Sequence, residues 1–342
     1  MHDRILWLHF GIQKTGSSSF QFLLQKQRQL LLDAGIVYLD PYFSLTPNPW
    51  YAESVTSRAF FEAKTFGKIW DDRSHVFGFR DYLLGSIPSS SKHLILSNEN
   101  FYPIISPQGQ PRFDFNALER FAGDLGADIR IVLYLRRQDE HLISYYQERV
   151  KASFRLNNAS RDFLALPAEI DAYASIVTRT NYYDFVAQIS MLQQRFAVEI
   201  KLMEDEISEF GLMASHCSAF QLPAACAQLD ASKNVGLEAH ATVALRRYLA
   251  YGHEHGMSQQ KMLKAKNYLF RHHAGGRKLD IQLSTKDQIM ALHDSANQHL
   301  LKMCGKQESA LLAPARQSGL TVFEIDTERV DELFHQLRNL TV

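Results

Sequence analysis

Ile5-Leu6-Trp7-Leu8-His9-Phe10-Gly11-Ile12-Gln13-Lys14-Thr15-Gly16-Ser17-Ser18-Ser19 opens as an apolar run and ends as the start of a helical pattern. Between the two lies a glycine turn with one lysine and a row of small hydroxyl residues. Strand, turn and helix in that order build a site for an anion. The first N–H groups of a helix have no partner within it and carry the positive end of its dipole, so a phosphate meets donors already in place. Gly11 and Gly16 let the chain turn tightly and bring backbone close to a ligand. Lys14 adds a full charge, and Thr15, Ser17 and Ser18 add hydroxyl donors.

A second stretch fixes the fold class. Asp128-Ile129-Arg130-Ile131-Val132-Leu133-Tyr134-Leu135 is almost continuously apolar, as a strand covered on both faces of a parallel sheet must be. It ends in Arg136-Arg137 and passes into a helical pattern containing Ser144, Tyr145 and Tyr146. A guanidinium at such a strand end can grip a phosphate in a bidentate fork.

The lysine of the first loop precedes the second glycine, so the loop is not the Gly-x4-Gly-Lys-Ser/Thr of ATP- and GTP-binding proteins. The order Gly11-x-x-Lys14-Thr15-Gly16-Ser17 resembles the 5′-phosphosulfate loop of sulfotransferases that use PAPS (3′-phosphoadenosine 5′-phosphosulfate). The wider string from His9 to Gln21 is most similar to the bacterial branch of that superfamily. Ser17 stands where the family more often has threonine, and the hydroxyl is kept. The resemblance extends to Arg136 and Ser144, an arginine at a strand end and a serine eight residues on, which is the family's 3′-phosphate pair.

The resemblance implies an α/β fold with three layers and a central parallel sheet, of the P-loop NTPase-like sulfotransferase type. One domain would span 1–342, with 205–342 a mostly helical C-terminal part. It implies PAPS as sulfuryl donor, PAP as product, and no metal. Gly11, Lys14, Thr15, Gly16, Ser17, Ser18, Arg136 and Ser144 would hold the nucleotide. Ser232-Lys233-Asn234-Val235-Gly236 is similar to a further family segment in which Lys233 reaches the 3′-phosphate; Gly236 replaces the serine found in relatives. The implied activity is sulfuryl transfer to a hydroxyl or amine of a carbohydrate or small-molecule acceptor. A non-catalytic relative that holds PAPS or PAP and regulates a partner is the alternative, followed by an ATP-dependent P-loop kinase.

The acceptor needs a general base. Leu96-Ser97-Asn98-Glu99-Asn100-Phe101 resembles a bacterial segment with a glutamate in that place, which makes Glu99 the first candidate; a carboxylate capping its own helix is the other reading of Glu99. His9, at the end of the first strand, is the second candidate, or else a core histidine bonded to backbone. His75, His93 and His141 follow with less support. His253, His255, His272 and His273 read as surface residues.

The chain has 342 residues, 46% of them hydrophobic, enough for a large core. Lys+Arg 37 balances Asp+Glu 37, so no basic excess points to nucleic acid or an anionic membrane. Cys217, Cys226 and Cys304 are widely spaced and odd in number, which suits a reducing compartment rather than a disulfide framework. With a first strand this close to the N-terminus no signal peptide is expected, and no apolar stretch approaches the roughly 18 residues of a membrane span. A cytoplasmic protein is the expectation.

Along the chain the pattern alternates. A helix is expected over about 18–33 with Gly35 as its stop, a short strand at Ile36-Val37-Tyr38, and strands at 93–97 and 198–204, with a helix over 182–196. Residues 40–75, rich in Pro and aromatics, read as a packed connection or a wall of the acceptor pocket. The polar stretch 155–161 reads as a mobile loop near the acceptor or as a solvated surface loop.

Overall fold

The structure is a computed structural model. It describes residues 3–12, 14–39, 84–85, 87–98, 102, 104–106, 109–112, 114–153, 169–178, 180–228 and 236–340. Glu99, His75, Lys233 and the stretches 40–75 and 155–161 lie outside the described residues.

The centre is a five-stranded parallel sheet. Its strands are β1 (Arg4–Gly11), β2 (Ile36–Tyr38), β3 (His93–Ser97), β4 (Ala127–Leu135) and β5 (Ala197–Leu202), in the order β2-β3-β1-β4-β5. β1 therefore lies in the middle, with β3 on one side and β4 on the other, both in parallel register. Chain order reverses across β1. In open parallel sheets that reversal opens a crevice beyond the C-terminal strand ends, where ligands bind.

Among the described residues there are twelve α-helices. They are α1 (Ser17–Lys26), α2 (Arg28–Asp33), α3 (Phe115–Asp124), α4 (Gln138–Ala152), α5 (Ile170–Val177) and α6 (Phe185–Gln193), then α7 (Met203–Phe210), α8 (Leu212–Ala219), α9 (Ala239–Glu254), α10 (Gln259–His272), α11 (Leu283–Met303) and α12 (Thr327–Asn339). The α/β class with a central parallel sheet is as the sequence indicates, and so is the helical character beyond 205.

The chain forms two compact units. The first holds the sheet and comprises 1–137, 184–232 and 296–311; the second is helical and comprises 138–183, 233–295 and 312–342. In the first unit, strand alternation sends Trp7, Ile95, Val132 and Tyr134 to one face, where Phe20, Leu23 and Leu24 of α1, Leu31 of α2 and Phe220 bury them. Leu6, Leu8, Phe10, Leu94, Leu96, Leu133 and Leu135 point the other way and are as fully buried, while α3 packs on β4 and α6 on β5. Burial on both faces explains the unbroken apolar runs.

In the second unit, α4 carries Leu142, Tyr146 and Val150 inward, and Tyr146 meets Tyr173 of α5. α9 and α12 pack through Tyr248, Tyr251 and Phe334. A buried ion pair, Lys286 with Asp280 at 3.0 Å, ties α11 to the segment before it. The second oxygen of Asp280 accepts from the backbone of Ser318 and Gly319 and from Gln317, so the buried charge is fully bonded, as burial demands.

Three boundaries differ from the sequence expectation. The first helix bends at Gln27 (φ −96°, ψ 16°) into α1 and α2, although Gln27 N still donates to Leu23 O and Leu31 N to Gln27 O. The helix expected over 182–196 is a 3₁₀ turn at Asn181–Tyr183 and then α6. Asp184 separates the two because its carboxylate caps α6, accepting from Ala187 N at 3.0 Å. The last strand stops at Leu202 rather than 204, since Glu204, Asp205 and Glu206 form the acidic first turn of α7, where the helix dipole favours them.

Candidate functional site

β1 delivers the glycine loop to the C-terminal edge of the sheet. The ladder with β4 persists one residue past the strand, as Ile12 N donates to Tyr134 O at 3.1 Å. The loop then doubles back. Thr15 Oγ1 donates to Ile12 O at 2.8 Å and is fully buried. A Cβ on Gly11 would lie 2.8 Å from that hydroxyl oxygen, so the glycine is what lets Thr15 close the loop. The Thr15 hydroxyl thus donates to the loop itself, and its backbone N–H is what it can offer an anion.

Among the described residues of the loop two have left-handed backbone, Lys14 at φ 70° and Gly16 at φ 87°. Left-handed residues in a turn aim successive N–H groups into one concavity, a shape that binds anions. For Lys14 this conformation carries strain of order 1 kcal/mol, which surrounding structure must hold. Gly16 is the N-cap of α1 and makes no side-chain capping bond, so the helix N-terminus points its dipole at the loop without a cap in front of it. Ser17 is buried and its Oγ has no hydrogen-bond partner among the described residues. Ser18, one residue on, is exposed. An uncapped helix end, a buried hydroxyl without partner and a lysine on the same loop are a donor set for a tetrahedral anion.

Arg136 follows β4 and reaches this loop from the side. Its Nη1 donates to Lys14 O at 3.3 Å, and its Nε lies 3.3 Å from Glu204 Oε1. The other oxygen of Glu204 accepts from Arg137 N at 3.2 Å. Arg137 is buried and donates to Ala310 O. Glu204 is a site residue that sequence reading missed. The signal for it was present, as an acidic run just after an apolar strand, but nothing local tells which arginine such a run will meet. Its neighbours hold other parts of the first unit. Asp205 accepts from Lys306, Ser309 and Ala310 N; burial alone would raise its pKa, but these bonds outweigh burial and lower it. Glu206 accepts from Ser215 Oγ at 2.6 Å, and Ser215 is hydrogen-bonded to Tyr134 OH.

His9, near the end of β1, is enclosed rather than open to solvent. It is 1% exposed, pairs in register with Ser97 and shares a 2.8 Å hydrogen bond between its Nδ1 and Ser97 Oγ. The rings of Phe20, Tyr134, His216 and Phe220 stand edge-on around it. Burial, and secondarily the nearby His216, hold its pKa well below the ordinary 6.5. His216 stacks flat on Tyr134 at 4.1 Å, and burial drops its pKa to about 4. Burial likewise pushes the Tyr134 hydroxyl far up. These groups are neutral at neutral pH and form one buried cluster of rings with Phe20 of α1 and Phe220.

The other sequence candidates spread more widely. Ser144 stands on α4 in the helical unit and is half-buried. His141 is buried in that unit, bonded to Tyr183 OH at 2.8 Å, with Tyr145 and Tyr182 stacked beside it. His93 accepts from Trp7 Nε1, and burial with Arg130 nearby lowers its pKa. His255 and His272 are exposed as expected, whereas His253 bonds Ser153 O and His273 pairs with Glu238. Gly236 packs against Lys278 and Gln147 within the helical unit. Among the described residues, no helix is long and apolar enough to cross a membrane, and no group of three or more His, Cys, Asp or Glu is placed to hold a metal.

No family model matches the chain, and no curated protein does. Among solved structures, the crystal structure of a sulfotransferase from Alicyclobacillus acidocaldarius is similar at a TM-score of 0.40 and 13% identity, over 91% of this chain and 99% of that one. At those values the likeness carries no argument about function.

Proposed function

We propose that this chain is a PAPS-dependent sulfotransferase, which moves a sulfuryl group to a hydroxyl or amine of a carbohydrate or small-molecule acceptor and releases PAP. The observation that carries the reading is the loop from Gly11 to Ser17: left-handed at Lys14 and Gly16, braced by Arg136, and running into the uncapped N-terminus of α1. Its donors fit a 5′-phosphosulfate, including the buried Ser17 hydroxyl that has no partner among the described residues.

In this reading the acceptor oxygen forms a bond to sulfur as the bond from sulfur to the bridging 5′-phosphate oxygen breaks. Negative charge grows on the leaving phosphate, and Lys14 with the first N–H groups of α1 is aimed at that charge. Glu99 takes the acceptor proton. It follows Asn98, whose N–H bonds His9 O beside the loop. His9, enclosed by rings, keeps Ser97 and the end of β3 in place rather than acting as base. Arg136 serves the 3′-phosphate, the group that distinguishes PAPS from ATP. The compartment we assign is the cytoplasm, where the three free cysteines remain thiols.

Calorimetric titration with PAP, with ADP as control, tests the reading. Tight PAP binding without ADP binding is expected. Failure of PAP to bind would withdraw it.

A further inference from the structure

Arg136 does more in this structure than end a strand. Its guanidinium spans from the carboxylate of Glu204, on the first turn of α7, to the carbonyl of Lys14, which among the described residues of the loop is the one non-glycine residue with left-handed backbone. Both ionic side chains are largely withdrawn from solvent, Arg136 to 18% exposure and Glu204 to 25%, so their attraction is screened less than on an open surface. Glu204 is itself fixed twice, by the arginine side chain and by Arg137 N–H. A left-handed lysine needs such support, because its backbone would otherwise relax toward the right-handed region.

We infer that Glu204 is a positioning residue: acting through Arg136, it holds the Lys14 backbone in the conformation that aims the loop N–H groups and the lysine at an anion. The inference rests on the proposed function for the identity of that anion. A guanidinium has five N–H donors in one plane, so the same arginine can brace the loop and present another edge to a phosphate only if its plane is fixed. The Glu204 carboxylate lies 3.3 Å from its Nε as an ion pair without a hydrogen bond, and that charge holds the guanidinium against the first turn of α7. The cost of removing Glu204 should therefore appear at the loop, which is distant in sequence and linked to it through Arg136.

The test uses full-length protein and the variant Glu204→Gln, which keeps the volume and removes the charge. Arg136→Lys, which keeps the charge and loses the fork, serves as the second variant. Hydrogen exchange of the ligand-free protein is read first. Both variants are expected to raise exchange at the amides of residues 14–18 about tenfold while leaving β1 unchanged. PAP titration is read second, and a loss of affinity of about tenfold is expected for Glu204→Gln. In the double variant Glu204→Gln/Arg136→Lys, that loss should largely vanish relative to Arg136→Lys alone, because Glu204 acts through the Arg136 guanidinium. A merely structural role would lower the melting temperature without protecting or exposing the loop selectively. Unchanged loop exchange, or losses that multiply in the double variant, would overturn the inference while the function stood. Wild-type protein that fails to bind PAP would instead overturn the function, and loop exchange would still judge the brace.

Discussion

At the scale of single residues, the loop shows how little freedom its side chains have. Thr15 closes the turn on Ile12, Gly11 makes room for it, and Gly16 meets Leu212, whose Cδ2 would be 2.5 Å from an added Cβ. Gly16→Ala therefore adds strain of left-handed backbone and a clash with a leucine tip. A loss of roughly 1–3 kcal/mol in unfolding free energy is expected by denaturant titration. Leu212→Ala should return the part due to the clash. Lys14→Ala leaves the backbone requirement as it was and removes only the charged head. Under the proposed function it should lower sulfuryl transfer from labelled PAPS roughly 10²–10³-fold. A variant that kept near full activity would remove Lys14 from the mechanism.

At the scale of elements, helix ends decide what connects to what. α7 places Glu204, Asp205 and Glu206 in its first turn, and each carboxylate holds a different piece of the sheet unit: the Arg136–Arg137 pair, the segment 306–310, and Ser215 with Tyr134. In Val198-Glu199-Ile200-Lys201-Leu202-Met203-Glu204 apolar and charged residues alternate as far as Leu202, and the alternation breaks at Met203, the first residue of α7. The helix begins where three acids can meet the positive end of a dipole. α12 has a simpler end. Asp326 accepts from Glu328 N and Arg329 N, with Thr321 and Glu324 forming a capping box just upstream. Asp326→Ala is expected to cost about 1 kcal/mol, seen as a lower denaturant midpoint with unchanged slope.

At the scale of the whole molecule, acid should be a weakness. His9 and His216 are buried and neutral in the fold, with pKa values held below 6.5, His216 at about 4. Unfolding exposes both to water, where they bind protons below about pH 6.5. The unfolded chain then holds more protons than the folded one, so stability falls as pH drops from about 6.5 toward 4. A displacement from 6.5 to about 4 amounts to roughly 3 kcal/mol for His216 alone. Thermal melts of wild type between pH 7.5 and 5 should show this decline. His216→Phe, which keeps a ring against Tyr134, should flatten it. A variant with the same pH slope as wild type would assign the acid sensitivity elsewhere.

The sequence by itself determined the local chemistry: strand into glycine loop into helix, the buried parallel strand ending in Arg136, the α/β class and the helical later part. These follow from hydrophobic period and from glycine's backbone freedom, both short-range properties. Only the tertiary structure decided what the loop residues touch. Thr15 turned out to bond within the loop, His9 to lie in a ring of aromatics, and Arg136 to meet Glu204 from 68 positions further along the chain. Burial, pKa and ion pairing depend on strand order and on which helix covers which face. Those contacts join residues far apart in the chain, and no window of sequence contains them.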